Sequence, residues 1–589
     1  MNSVQTTQPS LRWPGFAYGA IAVVACAFAF VGLSTSSFWI DELFTLYVIN
    51  HHGGLAEVFR RALTDVHPPL YYFFLYGWTQ LFGISEWSVR LPSAICAVLA
   101  VALFAHGARR IASGSAVAFA CAVATVSIFW FDQSQNARSY MFALALATGL
   151  LNTAMALHRR KQSRPGLFPG WHLTLLTALG LAASFTHAYL LLATGMVWLF
   201  LLLSTADLRL RVALLVTGLL ILLPNLLYYY WLTHSTQLDL HNLWFKNSVG
   251  FFRNEIRHAL TDLLTKYLLI LLAALLLCSW LLRRWRGTNR APLLPISDAT
   301  RIEARWCVGL CLVVLVGVVV CGISVSILVA PSFSDRNLLS CVPFAWLLLA
   351  KVYDAAGPRR RSLGGAVAAV LVVLMLCSQL MLLQGRWLPR TEPWRASAAY
   401  VAQQPGCTGQ IVPVVLPFNF SRATPRFRTL SEQNFFGYYL AGSEHLRAYT
   451  PEELAGPNAL PEVTRLLDSR AESADRAGDC QLLTWGVHDL EKAKALQMAA
   501  ELVQQPQFAQ RSVVVQEFVK YNFRRWFWVS RPAGFVFLVE PRHDTDAHPA
   551  RKAPHASNVL GDRIVVSAVP NASSATESSD DKIARLPPE

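Results

Sequence analysis

The sequence predicts an α-helical polytopic membrane protein with about eleven transmembrane helices and a C-terminal soluble α/β domain. Three observations carry that prediction. Only 15% of the 589 residues are charged and 54% are apolar, whereas soluble globular chains are about 25% charged. Long charge-free runs recur as far as Gly385. Beyond that point the composition turns polar, and short apolar runs alternate with amphipathic ones. A soluble chain of this size needs a polar skin over several domains, and this composition cannot supply it.

A span needs about 20 mainly apolar residues. The charge-free runs are Trp13–Ile40, Leu91–Ala108, Ile111–Phe131, Ser139–Leu157, Pro165–Ala206, Val212–Leu238, Tyr267–Leu282, Trp306–Ser334, Asn337–Ala350 and Ser362–Gly385. Pro165–Ala206 is too long for one crossing and is broken by Thr186–His187, so it counts twice. Leu70–Phe82 is too short to cross and reads as an interfacial or re-entrant helix. The first span has a weak basic flank and no small-residue cleavage site, so it is expected to be retained.

Clusters of Arg and Lys fall on every second loop: Arg109–Arg110, Arg159–Arg160–Lys161, Arg209 with Arg211, Arg283–Arg284 with Arg286, and Arg359–Arg360–Arg361. If these loops are cytoplasmic, the N-terminus is inside and the C-terminal domain lies outside a plasma or inner membrane. The formal net charge of +15 is then a topology signal. No basic stripe survives for nucleic acid once those loops are set aside.

The expected division is a transmembrane domain over residues 1–385, an extracytoplasmic α/β domain over 386–540 and a disordered tail over 541–589. Strands are expected at Gln410–Leu416, Gln481–Val487, Ser512–Val519 and Gly534–Val539, and helices at Trp394–Gln403, Glu462–Arg470 and Leu490–Leu502. The tail is rich in Pro, Ser, Ala and Asp. Nine of the eleven cysteines lie in or beside apolar runs. Cys407 and Cys480 alone fall in the α/β domain, each just before a predicted strand. Adjacent parallel strands would bring these two starts together as a disulfide in an oxidising compartment. There is no CxxC and no zinc-like spacing.

The chemistry-bearing residues gather at the span ends of one face. Asp41 and Glu42 follow the first span directly, where an ionised group needs water, a partner or a task. Their side chains diverge by about 100° on a helix, so one base and one supporting residue is a more natural division than two equal roles. An ordinary interfacial helix cap would explain the pair equally. His67–Pro68–Pro69–Leu70–Tyr71–Tyr72 holds a histidine on a stiff backbone. Asp132 to Tyr140 is a polar cluster containing Arg138, and Ser334–Asp335–Arg336–Asn337 opens a late span. Taken singly, each arginine could anchor to lipid headgroups.

As an ordered set, Asp41–Glu42, His67 to Tyr72, Val89–Arg90–Leu91–Pro92–Ser93, Asn136 to Tyr140 and Arg336 resemble the GT-C glycosyltransferases. The nearest branch is the protein O-mannosyltransferase-like family, which includes lipid A aminoarabinose transferases. Arg336 is followed by Asn337 where relatives commonly carry an aromatic residue. The resemblance implies an inverting enzyme that takes a sugar from a polyprenyl phosphate and hands it to an extracytoplasmic lipid, polysaccharide or protein. It also implies Asp41 as the base with Glu42 in support. Arg138 and Arg336 would then face the donor phosphate, with His67, Arg90 and Tyr71 also on the substrate. A carboxylate can accept the proton of an attacking hydroxyl, and a lipid-phosphate leaving group needs cations. No cofactor is expected, although a divalent metal near Asp41 and Glu42 stays open. A transporter or lipid flippase would place charges deep in several spans. A pyrophosphate-linked oligosaccharide ligase is the other rival.

Overall fold

The computed structural model describes residues 13–49, 53–65, 67–164, 167–235, 246–264, 298–355, 381–417, 424–440, 445–455, 459–474, 476, 478–488, 490–524, 527–542 and 559–567. It divides into two units. The first is Met1–Glu392 with Lys520–Arg531, and the second is Pro393–Val519 with Pro532–Glu589.

The first unit is helical: α1 (Trp13–Phe30), α2 (Ile40–Val48), α3 (Gly54–Ala62), α4 (Leu70–Phe82), α5 (Glu86–Ala108), α6 (Gly114–Val126), α7 (Ile128–Gln133), α8 (Tyr140–Ser163), α9 (Gly170–Ser184), α10 (Ala188–Ser204), α11 (Leu208–Ser235), α12 (Val249–Leu264), α13 (Asp298–Leu328) and α14 (Val342–Ala355), the last preceded by a 3₁₀ turn at Arg336–Cys341. Among the described residues, four helices are long and apolar enough to cross a membrane: α5, α8, α11 and α13. Parts of α1 and α6, and the whole of α10, are shorter apolar helices. The expected spans Tyr267–Leu282 and most of Ser362–Gly385 lie outside the described residues.

Polar residues make the breaks. The long run before Ala206 splits into α9 and α10, as its Thr186–His187 interruption suggests, with His187 Nδ1 accepting from the Tyr189 amide at 3.2 Å. The run Ile111–Phe131, read as one span, instead divides at Ser127. There the hydroxyl caps α7 by accepting from the Trp130 amide at 3.1 Å, a local competition that favours serine at helix starts. The short aromatic helix α4 has the expected bounds, Leu70–Phe82. Its first amide donates to the Phe185 carbonyl at 3.0 Å, which fixes the His67 loop beside the α9–α10 break.

The second unit is an α/β sheet of order β2-β1-β3-β5-β4-β6. The four expected strands form as β1 (Val412–Val415), β3 (Leu482–Val487), β4 (Arg511–Arg524) and β5 (Phe527–Pro541), joined by β2 (Leu446–Tyr449) and β6 (Leu560–Ser567). β1 pairs in parallel with both β2 and β3, while β5 pairs antiparallel with β3, and β6 with β4. Helices Pro461–Ser473 and Lys492–Val503 bury Val463, Leu467, Ala495 and Ala499 against strand residues such as Leu483, Phe535 and Phe537. The stretch read as a tail is therefore not wholly irregular. Ile564 and Val566 in β6 pack against this core, a short alternating signal swamped by its Pro- and Ser-rich flanks.

The expected Cys407–Cys480 disulfide is present, with Cα atoms 4.5 Å apart. The parallel pairing of β1 with β3 delivers both cysteines to one end of the sheet. Gly406 makes the approach possible: its φ is +65°, and a Cβ there would lie 2.3 Å from the Gly478 carbonyl oxygen.

Candidate active site

Adjacent residues Asp41 and Glu42 lie in the first turn of α2, and the helix sends them to different environments. Glu42 is 1% exposed and Arg90, early in α5, is 3% exposed. Arg90 Nε donates to Glu42 Oε1 at 2.8 Å and Arg90 Nη2 to Oε2 at 2.5 Å. The Ala137 and Trp39 amides donate to the same two oxygens at 2.8 and 3.1 Å. The remaining guanidinium hydrogens of Arg90 go to the carbonyls of Leu33, Ser36 and Ser37. This bidentate, hydrogen-bonded pair is the arrangement a buried ion pair needs to offset its desolvation.

Two of the expected substrate-contacting residues lie deep in the protein. Arg90 has its guanidinium hydrogens on protein acceptors. Tyr71 is buried as well, with its ring among Tyr72 and Phe142, and it packs the core under α4.

Asp41 points the other way. Its side chain is 35% exposed, and Arg336 Nη1 lies 3.9 Å from Asp41 Oδ2, with the Arg336 side chain 37% exposed. The guanidinium of Arg336 stands over the Trp39 ring at 5.2 Å. Trp39 is in turn held by Nε1 donating to Asn136 Oδ1 at 3.0 Å. The polar cluster before α8 thus builds both halves of the site: Ala137 secures Glu42, and Asn136 secures the ring beneath Arg336. Glu255 of α12 accepts from the Asp335 amide at 2.9 Å, fixing the turn from which Arg336 projects.

Arg138 and His67 come together, but in an enclosed position. Arg138 Nη1 lies 3.1 Å from the Tyr72 hydroxyl, and Arg138 Nη2 lies 3.0 Å from His67 Nδ1. The organising anion is Asp65, whose Oδ2 lies 3.1 Å from His67 Nδ1 and 3.5 Å from Arg138 Nη1 and also accepts from the Tyr72 hydroxyl. Burial would raise the Asp65 carboxyl, but the charges of Arg138 and His67 and the hydrogen bonds from His67 and Tyr72 outweigh it and hold the group below the usual carboxylate range. His187 faces His67, with ring centroids 5.4 Å apart. Burial and its neighbour His67 push the His187 ring down to about 3, so it is neutral near pH 7.

Asp65 and Glu255 were not singled out from the sequence. A signal existed for Asp65, the only acid between Glu57 and Glu86, because an acid beside apolar aromatic sequence needs a partner. Glu255 offers no comparable signal within its mixed-charge helix. Among the described residues, no group of three or more His, Cys, Asp or Glu side chains is arranged to hold a metal ion.

A many-helix membrane unit with an acidic pair, an HPP loop and a late arginine on one face defines a class, and the chain is similar to the GT-C glycosyltransferases in these respects. Residues 66–231 match the family described as Dolichyl-phosphate-mannose-protein mannosyltransferase, which bears out the resemblance read from the motifs. No curated protein sequence matches. Among solved structures, ArnT from Cupriavidus metallidurans in the apo state aligns at 14% identity over 89% of this chain and 98% of that one, with a TM-score of 0.48. The same protein bound to undecaprenyl phosphate aligns at 14% identity over 91% and 100%, with a TM-score of 0.46. Arabinofuranosyltransferase AftD from Mycobacteria aligns at 15% identity over 90% of this chain and 40% of its own, with a TM-score of 0.43.

Proposed function

We propose that this chain is an inverting membrane glycosyltransferase that moves a sugar from a polyprenyl-phosphate donor to an extracytoplasmic acceptor, with its N-terminus cytoplasmic. The observation that carries the reading is the open Asp41–Arg336 pair, one base and one cation 3.9 Å apart at the start of α2. The acceptor hydroxyl gives its proton to Asp41 as its oxygen bonds to the anomeric carbon. The bond from that carbon to the phosphate oxygen breaks, and Arg336 offsets the charge left on the lipid phosphate. Glu42 has both oxygens occupied, so it supports Asp41 by fixing α2 and does not attack. One displacement with one free carboxylate inverts the anomeric centre. The same occupancy removes Glu42 as a metal ligand partner for Asp41, so turnover is expected to be indifferent to a chelator. Arg138, anchored by Asp65 beside His67, sets a guanidinium beneath the donor phosphate.

The test is transfer by the purified chain from a set of polyprenyl-phosphate sugars to envelope extracts, with the anomeric configuration of the product read by NMR. Mass spectra of glycolipids and glycoproteins from a deletion strain would identify the acceptor. No transfer from any polyprenyl-phosphate sugar, or a retained configuration, would overturn the reading.

A further inference from the structure

The end of β4 from Lys520 and the start of β5 to Arg531 belong to one hairpin of the sheet, yet they cluster with the helical unit. Their sequence runs from Lys520 through Tyr521, Phe523, Arg524, Arg525, Trp526, Phe527 and Trp528 to Arg531. It holds five aromatic residues, four cations and no acid. A hairpin ending in water would show polar residues on at least one face. Here Trp528 faces inward: its Nε1 donates to the Met381 carbonyl at 2.7 Å, and its ring packs on Phe523 and Phe131. Gly385 is shaped for it, since a Cβ at that position would lie 1.9 Å from the indole. Phe527 and Val529 stand on the opposite strand face, because strand side chains alternate. Phe527 is 66% exposed and Val529 is also exposed, while Trp387, two residues beyond Gly385, is 59% exposed.

We propose that this hairpin end is a membrane-interface anchor whose Phe527–Val529 face, with Trp387, sits at the headgroup–acyl boundary of the phospholipid bilayer. Three features select lipid as the occupant. The hairpin docks through Trp528 on Met381 and Gly385, where the last apolar run ends. The sequence of these twelve residues mixes aromatic residues with arginines, the composition of membrane interfaces. The absence of any acid over these twelve residues suits an anionic headgroup layer.

The experiment uses the full chain in nanodiscs of phosphatidylcholine with phosphatidylglycerol. Phe527 is replaced by the photo-crosslinking residue p-benzoylphenylalanine, and Val529 is replaced likewise in a second protein. Leu223, exposed on the apolar helix α11, is the position where lipid adducts must form. Arg465, exposed on a helix of the α/β unit, is the position where they should not. Phospholipid adducts at Phe527 and Val529 of the order seen at Leu223 are the expected result. Absence of lipid adducts at both positions while Leu223 reacts would overturn the proposal, as would crosslinks there to a second copy of the chain.

Discussion

Two neighbouring carboxylates have opposite surroundings. Glu42 is closed: four donors on its two oxygens, a bidentate arginine, and almost no surface. Asp41 is open: one arginine at 3.9 Å and about a third of its side chain exposed. A closed pair is costly to break from one side, because the partner is left buried and unpaired. An open pair can meet a ligand, because water and substrate reach it. The comparison separates architecture from chemistry within a single helical turn, and substitutions can break it from either side.

The largest effect is expected at Asp41. Asp41→Asn should leave the thermal midpoint near that of the parent while lowering transfer by ~10²–10⁴, the usual worth of a general base. Comparable activity in a well-expressed variant would remove Asp41 from the chemistry. Arg336→Ala comes next, at ~10²–10³ in rate for one lost stabilising donor. Arg336→Lys should recover only part of this, since an ammonium lacks the planar fork. Donor binding that is unchanged in Arg336→Ala would show that this arginine does not meet the phosphate.

The closed pair should respond in the other currency. Arg90→Leu strands the Glu42 carboxylate and should cost about 3–5 kcal/mol of stability. Adding Glu42→Leu should return much of that loss, because an apolar pair needs no partner. A double variant no more stable than Arg90→Leu would show that the pair is not energetically coupled.

Much of this was legible in the sequence, for reasons that can be named. The breaks at His187 and the bounds of α4 were visible because polar interruptions and length limits act locally. The divergence of Asp41 from Glu42 follows from helix geometry alone. The disulfide was legible because two strand starts and two cysteines coincide. Which carboxylate is closed was not legible: that depends on Arg90, 48 residues away from Glu42. The same holds for Arg138, whose aspartate partner comes from another loop. Long-range pairing decides how each arginine is held.

The smallest effect, and the sharpest test of that point, is the pH dependence of the enclosed cluster. Asp65 is buried against Arg138 and His67, and its carboxyl is held below the usual range. A group whose folded pKa is depressed contributes its full stability above the unfolded value, about 3.9 for aspartate. It loses that contribution as pH falls through this value towards the folded one. The parent should therefore lose on the order of 1–3 kcal/mol across the acid limb. In Asp65→Asn the site cannot titrate, so its unfolding midpoint should fall less steeply over the same interval while starting lower at neutral pH. Differential scanning measurements on the two proteins, in one detergent and buffer series, isolate this group from the other carboxylates. Parallel profiles would mean that Asp65 does not hold the Arg138–His67 cluster together.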